Sequence, residues 1–154
     1  MASWSEFAAA APSLAEHARR LFYRTDTGEA LLATVRRDGL PRIHPIYLAV
    51  QEDRLVAFIT DSPKAVDLAT DGRFALHNHQ DPNAPDEIQL RGRVRSIDDA
   101  AARARFAAAW YFETTDAYRL FEFQIDHALL GERGPDDGPH RYTSWKAADQ
   151  DDSR

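Results

Sequence analysis

From residue 30 to residue 97 the chain is built of short apolar runs cut by turn residues, a rhythm of strands rather than of long helices. Ala30 to Arg37 is apolar and ends at Asp38-Gly39, a strong hairpin signal. Arg42 to Val50 alternates loosely and contains Pro45, which places a sheet edge or a bulge there. After the turn Gln51-Glu52-Asp53, Leu55 to Thr60 predicts a third strand. Pro63 to Ala69 has helical spacing, with Ser62 as cap and proline in the favoured first position. Phe74 to His79 predicts a fourth strand, and a proline-rich loop follows over 81–86. Ile88, Leu90 and Val94 alternate with Gln89, Arg91, Arg93 and Arg95, so 87–97 reads as a long strand with one polar face.

The flanks are helical. Ser13-Leu14-Ala15-Glu16 has the form of a capping box, and Leu14, Ala18, Leu21 and Phe22 carry that helix to about Tyr23. Ser3-Trp4-Ser5-Glu6 is a second such box, for a short helix before it. Asp98 is placed to cap an Ala-rich helix reaching about Phe112. Tyr118 to Asp126 and Arg141 to Lys146 supply the last strands. Short links make the sheet mainly antiparallel, and so many strands in one small domain favour closure into a barrel, which removes exposed edges. One domain over 1–148 is expected, with a loose loop at 134–139 and a disordered acidic tail at 149–154.

Composition narrows the function classes. A net charge of −6 lacks the basic footprint of a nucleic-acid binder and does not favour an anionic membrane. The absence of cysteine removes disulfides, thiolate catalysis and Cys-based zinc sites. No run approaches a membrane span, and the Ala-rich N-terminus has no basic segment before it, so a cytoplasmic protein is expected.

The chemistry concentrates in Phe58-Ile-Thr-Asp-Ser-Pro-Lys-Ala-Val-Asp-Leu68. Lys64 falls in the first turn of a helix, where the macrodipole disfavours a cation. A helix start presents unpaired N–H groups, and Thr60, Ser62 and Lys64 would complete a phosphate cradle there. The alternative is an ion pair from Lys64 to Asp61 or Asp67. His77-Asn78-His79 sets two imidazoles on one side of a strand, but no third metal ligand is fixed by spacing, so no metal site is assigned. Gly92 marks a bulge or a close approach by backbone, ligand or partner. The Arg91, Arg93, Arg95 row reads as a solvated face or a dimer contact, and Trp110, Tyr111 and Phe112 as core or dimer packing.

Three pieces in order resemble the pyridoxamine 5'-phosphate oxidase-like family: Asp38-Gly-Leu-Pro-Arg-Ile-His-Pro-Ile46; Phe58-Ile-Thr60 with Ser62-Pro-Lys64 and the helix ending before Arg73-Phe-Ala-Leu76; and Leu90-Arg-Gly-Arg-Val94. The resemblance implies a six- to seven-stranded antiparallel split β-barrel with flanking helices, a homodimer, and bound flavin mononucleotide or, alternatively, the deazaflavin coenzyme F420. It implies an oxidoreductase passing hydride or electrons to or from a small molecule, or else a non-catalytic module holding flavin or haem. Carried over residue by residue, it assigns cofactor contacts to Arg42 (with Arg36 as a second candidate), His44, Thr60, Ser62 and Lys64, and to Trp145, where the family's C-terminus often closes over the cofactor. Apart from the resemblance, Arg42 reads equally as a solvated edge residue, His44 as an inward packing residue and Trp145 as a core anchor. Oxidases proper carry a basic residue where this chain has Tyr47, and the residues that recognise a pyridoxal phosphate substrate are absent near the C-terminus. Oxidation of vitamin B6 is therefore not expected, catalytic residues are not assigned, and the Arg42-Ile43-His44-Pro45 form resembles small actinobacterial-type reductases and binders of the family.

Overall fold

A computed structural model describes residues 1–134 and 138–148; half of the 134–139 loop and all of the acidic tail expected at 149–154 lie outside them. The elements are α1 (Trp4–Ala10), α2 (Pro12–Phe22), β1 (Gly28–Val35), β2 (Pro41–Gln51), β3 (Arg54–Thr60), α3 (Pro63–Thr70), β4 (Arg73–His77), β5 (Glu87–Ser96), α4 (Ala100–Ala108), β6 (Tyr118–Glu132) and β7 (Arg141–Lys146). All strand pairs are antiparallel, in the order β3-β2-β1-β4-β5-β6-β7. An additional β3–β6 pairing closes the first six strands into a barrel, and β7 is an extra strand on the second half of β6.

The split lies at β2. Its first eight residues pair only with β1, while β3 meets it only from Ala49 to Gln51 before diverging to β6. The β2–β3 turn is tight because Glu52 and Asp53 both take left-handed φ, 48° and 58°, as a two-residue hairpin requires. Leu32, Leu76, Leu90, Ala128 and Trp145 form one cross-strand row on the inner face, and Phe7, Leu14, Ala18 and Phe22 of α1 and α2 join the same core.

Several local expectations change. The second helix starts at Pro12 with Ala11 at the cap position and no side-chain cap, so Ser13 lies inside the helix. The first box is real: Ser3 accepts from Glu6 N–H, and the Glu6 side chain accepts from Ser3 N–H at 2.7 Å. The fourth helix is capped by Asp99, not Asp98, through Ala102 N–H at 2.8 Å, and it ends at Ala108 because Trp110 turns into the core. β4 stops at His77, since Asn78 is buried and its amide serves the neighbouring strand, accepting from Ile88 N–H at 2.9 Å and donating to the Asp86 carbonyl at 3.1 Å. Gly92 is a backbone approach at a bulge: a Cβ there would sit 1.8 Å from the Gln124 carbonyl oxygen.

Candidate functional site

The first turn of α3 carries the features that matter. Ser62 occupies the cap position, but its side chain does not cap; Ser62 Oγ instead donates to the Thr60 carbonyl at 2.8 Å. Pro63 has no N–H, and the Val66 N–H closes onto Ser62. Among the described residues, the Lys64 and Ala65 N–H groups have no partner at the positive end of the helix.

Lys64 makes no ion pair among the described residues, and both expected acidic partners are engaged elsewhere. Asp61 faces Arg119 at 3.6 Å, with its N–H held by Ala117. Asp67 is buried, 7% exposed, and one of its oxygens accepts from Arg42 Nε and from Thr34 Oγ, both at 2.8 Å. Register explains the meeting: Thr34 and Arg42 are cross-strand partners on the inner face, and α3 packs against β1. Burial pushes the Asp67 carboxyl up, but the hydrogen bonds from Arg42 and Thr34 and the charges of Arg42 and Arg36 outweigh it and hold it below the usual carboxylate range.

His44 faces inward two residues along β2, opposite Leu32. Burial, then the positive charges of Lys64 and Arg42, hold its imidazole below the usual value, with Asp67 partly offsetting them. This neighbourhood is thus electropositive, which disfavours the charged form of the histidine. Arg36 is paired with Asp38 at 2.9 Å and, with Arg37, Val66 and Thr70, lines a recess of about 320 Å³ alongside Asp67. Farther along the unpaired stretch of β2, Tyr47 is 47% exposed and packs on Tyr111 and Phe112. It borders a second recess of about 300 Å³ with Glu29, Pro45, Ile46 and His79. Arg42 and Tyr47 are roughly 16 Å apart along the strand. A wider hollow of about 500 Å³ lies at the start of α4, where Arg103 and Arg119 are matched by Asp98 and Asp116 and Arg103 is already committed to the Tyr118 carbonyl.

The structure therefore gathers Arg42, His44 and Lys64, with Thr60 and Ser62 shaping the turn before the helix. It does not bring Trp145 to them: that ring packs on Phe7, 5.0 Å between centroids, beside α2. Of the two imidazoles flanking Asn78, His77 turns to Glu87 at 3.8 Å while His79 lines the recess by Tyr47. Thr34 carries no assignment in the sequence reading, and Asp67 appears there only as a partner for Lys64, whereas it holds Arg42 and Thr34. Their signal was polarity on apolar faces: Thr34 follows Ala30 and Leu32 on the inner row, and Asp67 sits among buried Ala65 and Leu68. Tyr111 is a further surprise. Its hydroxyl accepts from Gly28 N–H at 2.9 Å and donates to the Leu48 carbonyl at 2.8 Å, bridging the end of the β1–β2 ladder. Burial and the adjacent Tyr23 hydroxyl push this phenol well above its usual range.

An anionic group fits these donors: two free backbone N–H groups, an unpaired ammonium, and an arginine whose terminal amino groups make no hydrogen bond among the described residues. An elongated phosphorylated cofactor would be held there by Lys64, Arg42 and the α3 N–H groups.

The sequence matches the family model of pyridoxamine 5'-phosphate oxidase over residues 16–132, and the chain belongs to that family. Among solved structures, it resembles a haem-binding protein from Mycobacterium smegmatis at 19% identity and a TM-score of 0.62, covering 83% of this chain but 56% of that one. It also resembles the haem storage protein HutZ from Vibrio cholerae, at 14% identity and a TM-score of 0.57, covering 75% of this chain and 89% of that one. PhzG from Burkholderia lata, solved with tetrahydrophenazine-1-carboxylic acid, gives 14% identity and a TM-score of 0.63 over 94% and 86%. At these identities the likeness is one of fold. No curated protein sequence is similar to the chain. No helix among the described residues is long and apolar enough to cross a membrane.

Proposed function

We propose that this chain binds flavin mononucleotide, with the phosphate on the first turn of α3, and serves as a flavin-dependent oxidoreductase acting on a small molecule. The observation that carries the reading is the uncapped helix start beside a lysine with no acidic partner among the described residues. When bound, the isoalloxazine ring supplies hydride and electron transfer, which is why no catalytic triad is needed. The chain's own part is to fix the phosphate with Lys64 and Arg42, to set a positive field at His44, and to offer the free edge of β2 as a track for an elongated ligand. F420 is the alternative coenzyme; its longer acidic tail would follow Arg36 and Arg37 into the recess beside α3.

The same reading makes the protein a homodimer. Ile43 and Tyr47 project from the outer face of β2, with Leu40 beside them, exposed by 64%, 47% and 56%. An apolar strip beside an unpaired strand edge suits a two-fold contact with a second copy. Light scattering should give twice the chain mass, and Ile43→Lys should lower it; a monomer at micromolar concentration would remove the dimer.

Titration of the purified protein with flavin mononucleotide, riboflavin and F420, followed by assays with reduced nicotinamide or reduced deazaflavin and an electron acceptor, tests the main proposal. Tight binding without turnover would make the protein a flavin-storing or flavin-sensing module. A haem-holding module is the second reading, favoured by the two haem-protein neighbours. Haem titration that produces a sharp Soret band, with no flavin binding, would favour it.

A further inference from the structure

We infer that Asp67, backed by Thr34, is the positioning residue of the anion site, holding Arg42 by its Nε so that both terminal amino groups remain free beside Lys64. This rests on the phosphate reading above and assigns a role to two residues that lie beneath the proposed ligand.

Two arginine–aspartate pairs in this chain show the difference. Arg73 grips Asp71 with its fork, Nε to one oxygen at 2.7 Å and Nη2 to the other at 2.9 Å, so the donors on that side are used up. Arg42 donates to Asp67 through Nε alone, at 2.8 Å, and Thr34 Oγ donates to the same oxygen, also at 2.8 Å. The terminal nitrogens of Arg42 make no hydrogen bond among the described residues. Asp71 lies at the end of α3 in a partly exposed pair, whereas Asp67 is buried within the helix.

Helix spacing then fixes the direction. Asp67 and Lys64 are three residues apart, on one face of α3 and one turn from each other. An arginine anchored on Asp67 lies along the turn that carries Lys64. Register fixes the third point, because Thr34 is the β1 partner of Arg42. One carboxylate oxygen thus ties β1, β2 and α3 together at the base of the site. A buried carboxylate is costly unless its lone pairs are met, so its place here has a use beyond packing.

The test reads the contribution of the phosphate alone, as the ratio of riboflavin to flavin mononucleotide dissociation constants. Asp67→Ala should lower that ratio about tenfold, part of what one charge-assisted pair is worth, and leave riboflavin affinity within twofold. Asp67→Asn keeps an acceptor for Arg42 Nε and should hold the ratio within threefold. In an Arg42→Ala background, Asp67→Ala should have no further effect, because it acts through the arginine. Should Asp67→Ala fail to fold, Thr34→Val decides, with an expected two- to fivefold fall in the ratio. A parent protein that binds the two flavins equally would overturn the phosphate reading itself. A parent that prefers flavin mononucleotide, with a preference unmoved in the Asp67→Ala or Thr34→Val protein, would overturn only the positioning role.

Discussion

Lys64→Ala separates two accounts of the same side chain, because they differ in sign. If Lys64 were an ordinary surface cation, it would contribute through an ion pair, and its loss would cost the fold a little. The structure removes that route: Asp67 is held by Arg42 and Thr34 at 2.8 Å, and Asp61 faces Arg119. What remains in the ligand-free protein is a cation in the first turn of α3, an unfavourable placement of about 0.3–1 kcal/mol. The variant should therefore be as stable as the parent or more stable by about that amount, read as a shift of the urea midpoint. Alanine is also the better helix former.

The ligated state moves the other way. A charge-assisted hydrogen bond to phosphate is worth about 1.5–3 kcal/mol, so the dissociation constant for flavin mononucleotide should rise roughly ten- to a hundredfold. Riboflavin, without the phosphate, should bind parent and variant alike. The loss should shrink at high salt, since Lys64 is only half-buried and its charge is partly screened. Flavin fluorescence titration and urea unfolding of the apo protein measure both halves. Unchanged affinity together with lowered apo stability would refute the reasoning.

Other outcomes follow from single contacts. Glu122 is 1% exposed and takes Arg95 at 2.5 Å and Arg54 at 3.9 Å; because both arginines can reach water, Glu122→Ala should cost about 1.5–3 kcal/mol in urea unfolding. Gly92→Ala should cost roughly 3 kcal/mol, at the upper end for overpacking, because its methyl meets the β6 backbone rather than a movable side chain; a near-native urea midpoint would contradict the bulge. The lowered His44 value means the unfolded chain takes its proton first, so this residue's contribution to apo stability is full above its ordinary value near 6.5 and is lost as pH falls through the lower folded value. A bound phosphate would oppose the charges of Lys64 and Arg42, so binding should make His44 take up protons below its ordinary value, seen in calorimetry as a buffer-dependent part of the heat that differs between the parent and His44→Gln; no difference between the two would remove His44 from the site.

The fold was legible because its signals are local and repeated. Asp38-Gly39, Gln51-Glu52-Asp53 and the 2-residue alternation around Leu90 each mark one turn or face, and each agrees with its neighbours. Boundaries failed where tertiary contacts override local rules. Ser13 looked like a cap, but Pro12 at the first helical position sets the start; Asn78 looked like strand, but its amide is engaged by β5 and the loop before it. Of the candidate site, Lys64 stood out because a charge falls where simple rules disfavour it, whereas Arg42 was assigned through the resemblance alone. Asp67 could be read only as a partner for Lys64, because its true partners are 25 and 33 residues away in sequence. Trp145 was assigned to the cofactor by resemblance, yet in this chain its ring is engaged by Phe7.

The start of α3 is the place where local preference and structure disagree most. A serine in the cap position turns its hydroxyl back to Thr60, a proline removes one donor, and a lysine adds a charge of the wrong sign. Any one of these is tolerable in a surface helix. Together they leave a short helix with free N–H groups; α1 and α4 are capped by a side chain, and α2, which also starts uncapped at a proline, has no cation in its first turn. A folding sequence resolves such conflicts unless a ligand resolves them, so their persistence in one turn is the physical argument for an anion. The same logic separates this turn from the Arg91, Arg93, Arg95 row. There Arg93 reaches the Asp71 carbonyl and Arg95 the Glu122 carboxylate, so two of the three charges are already answered within the chain.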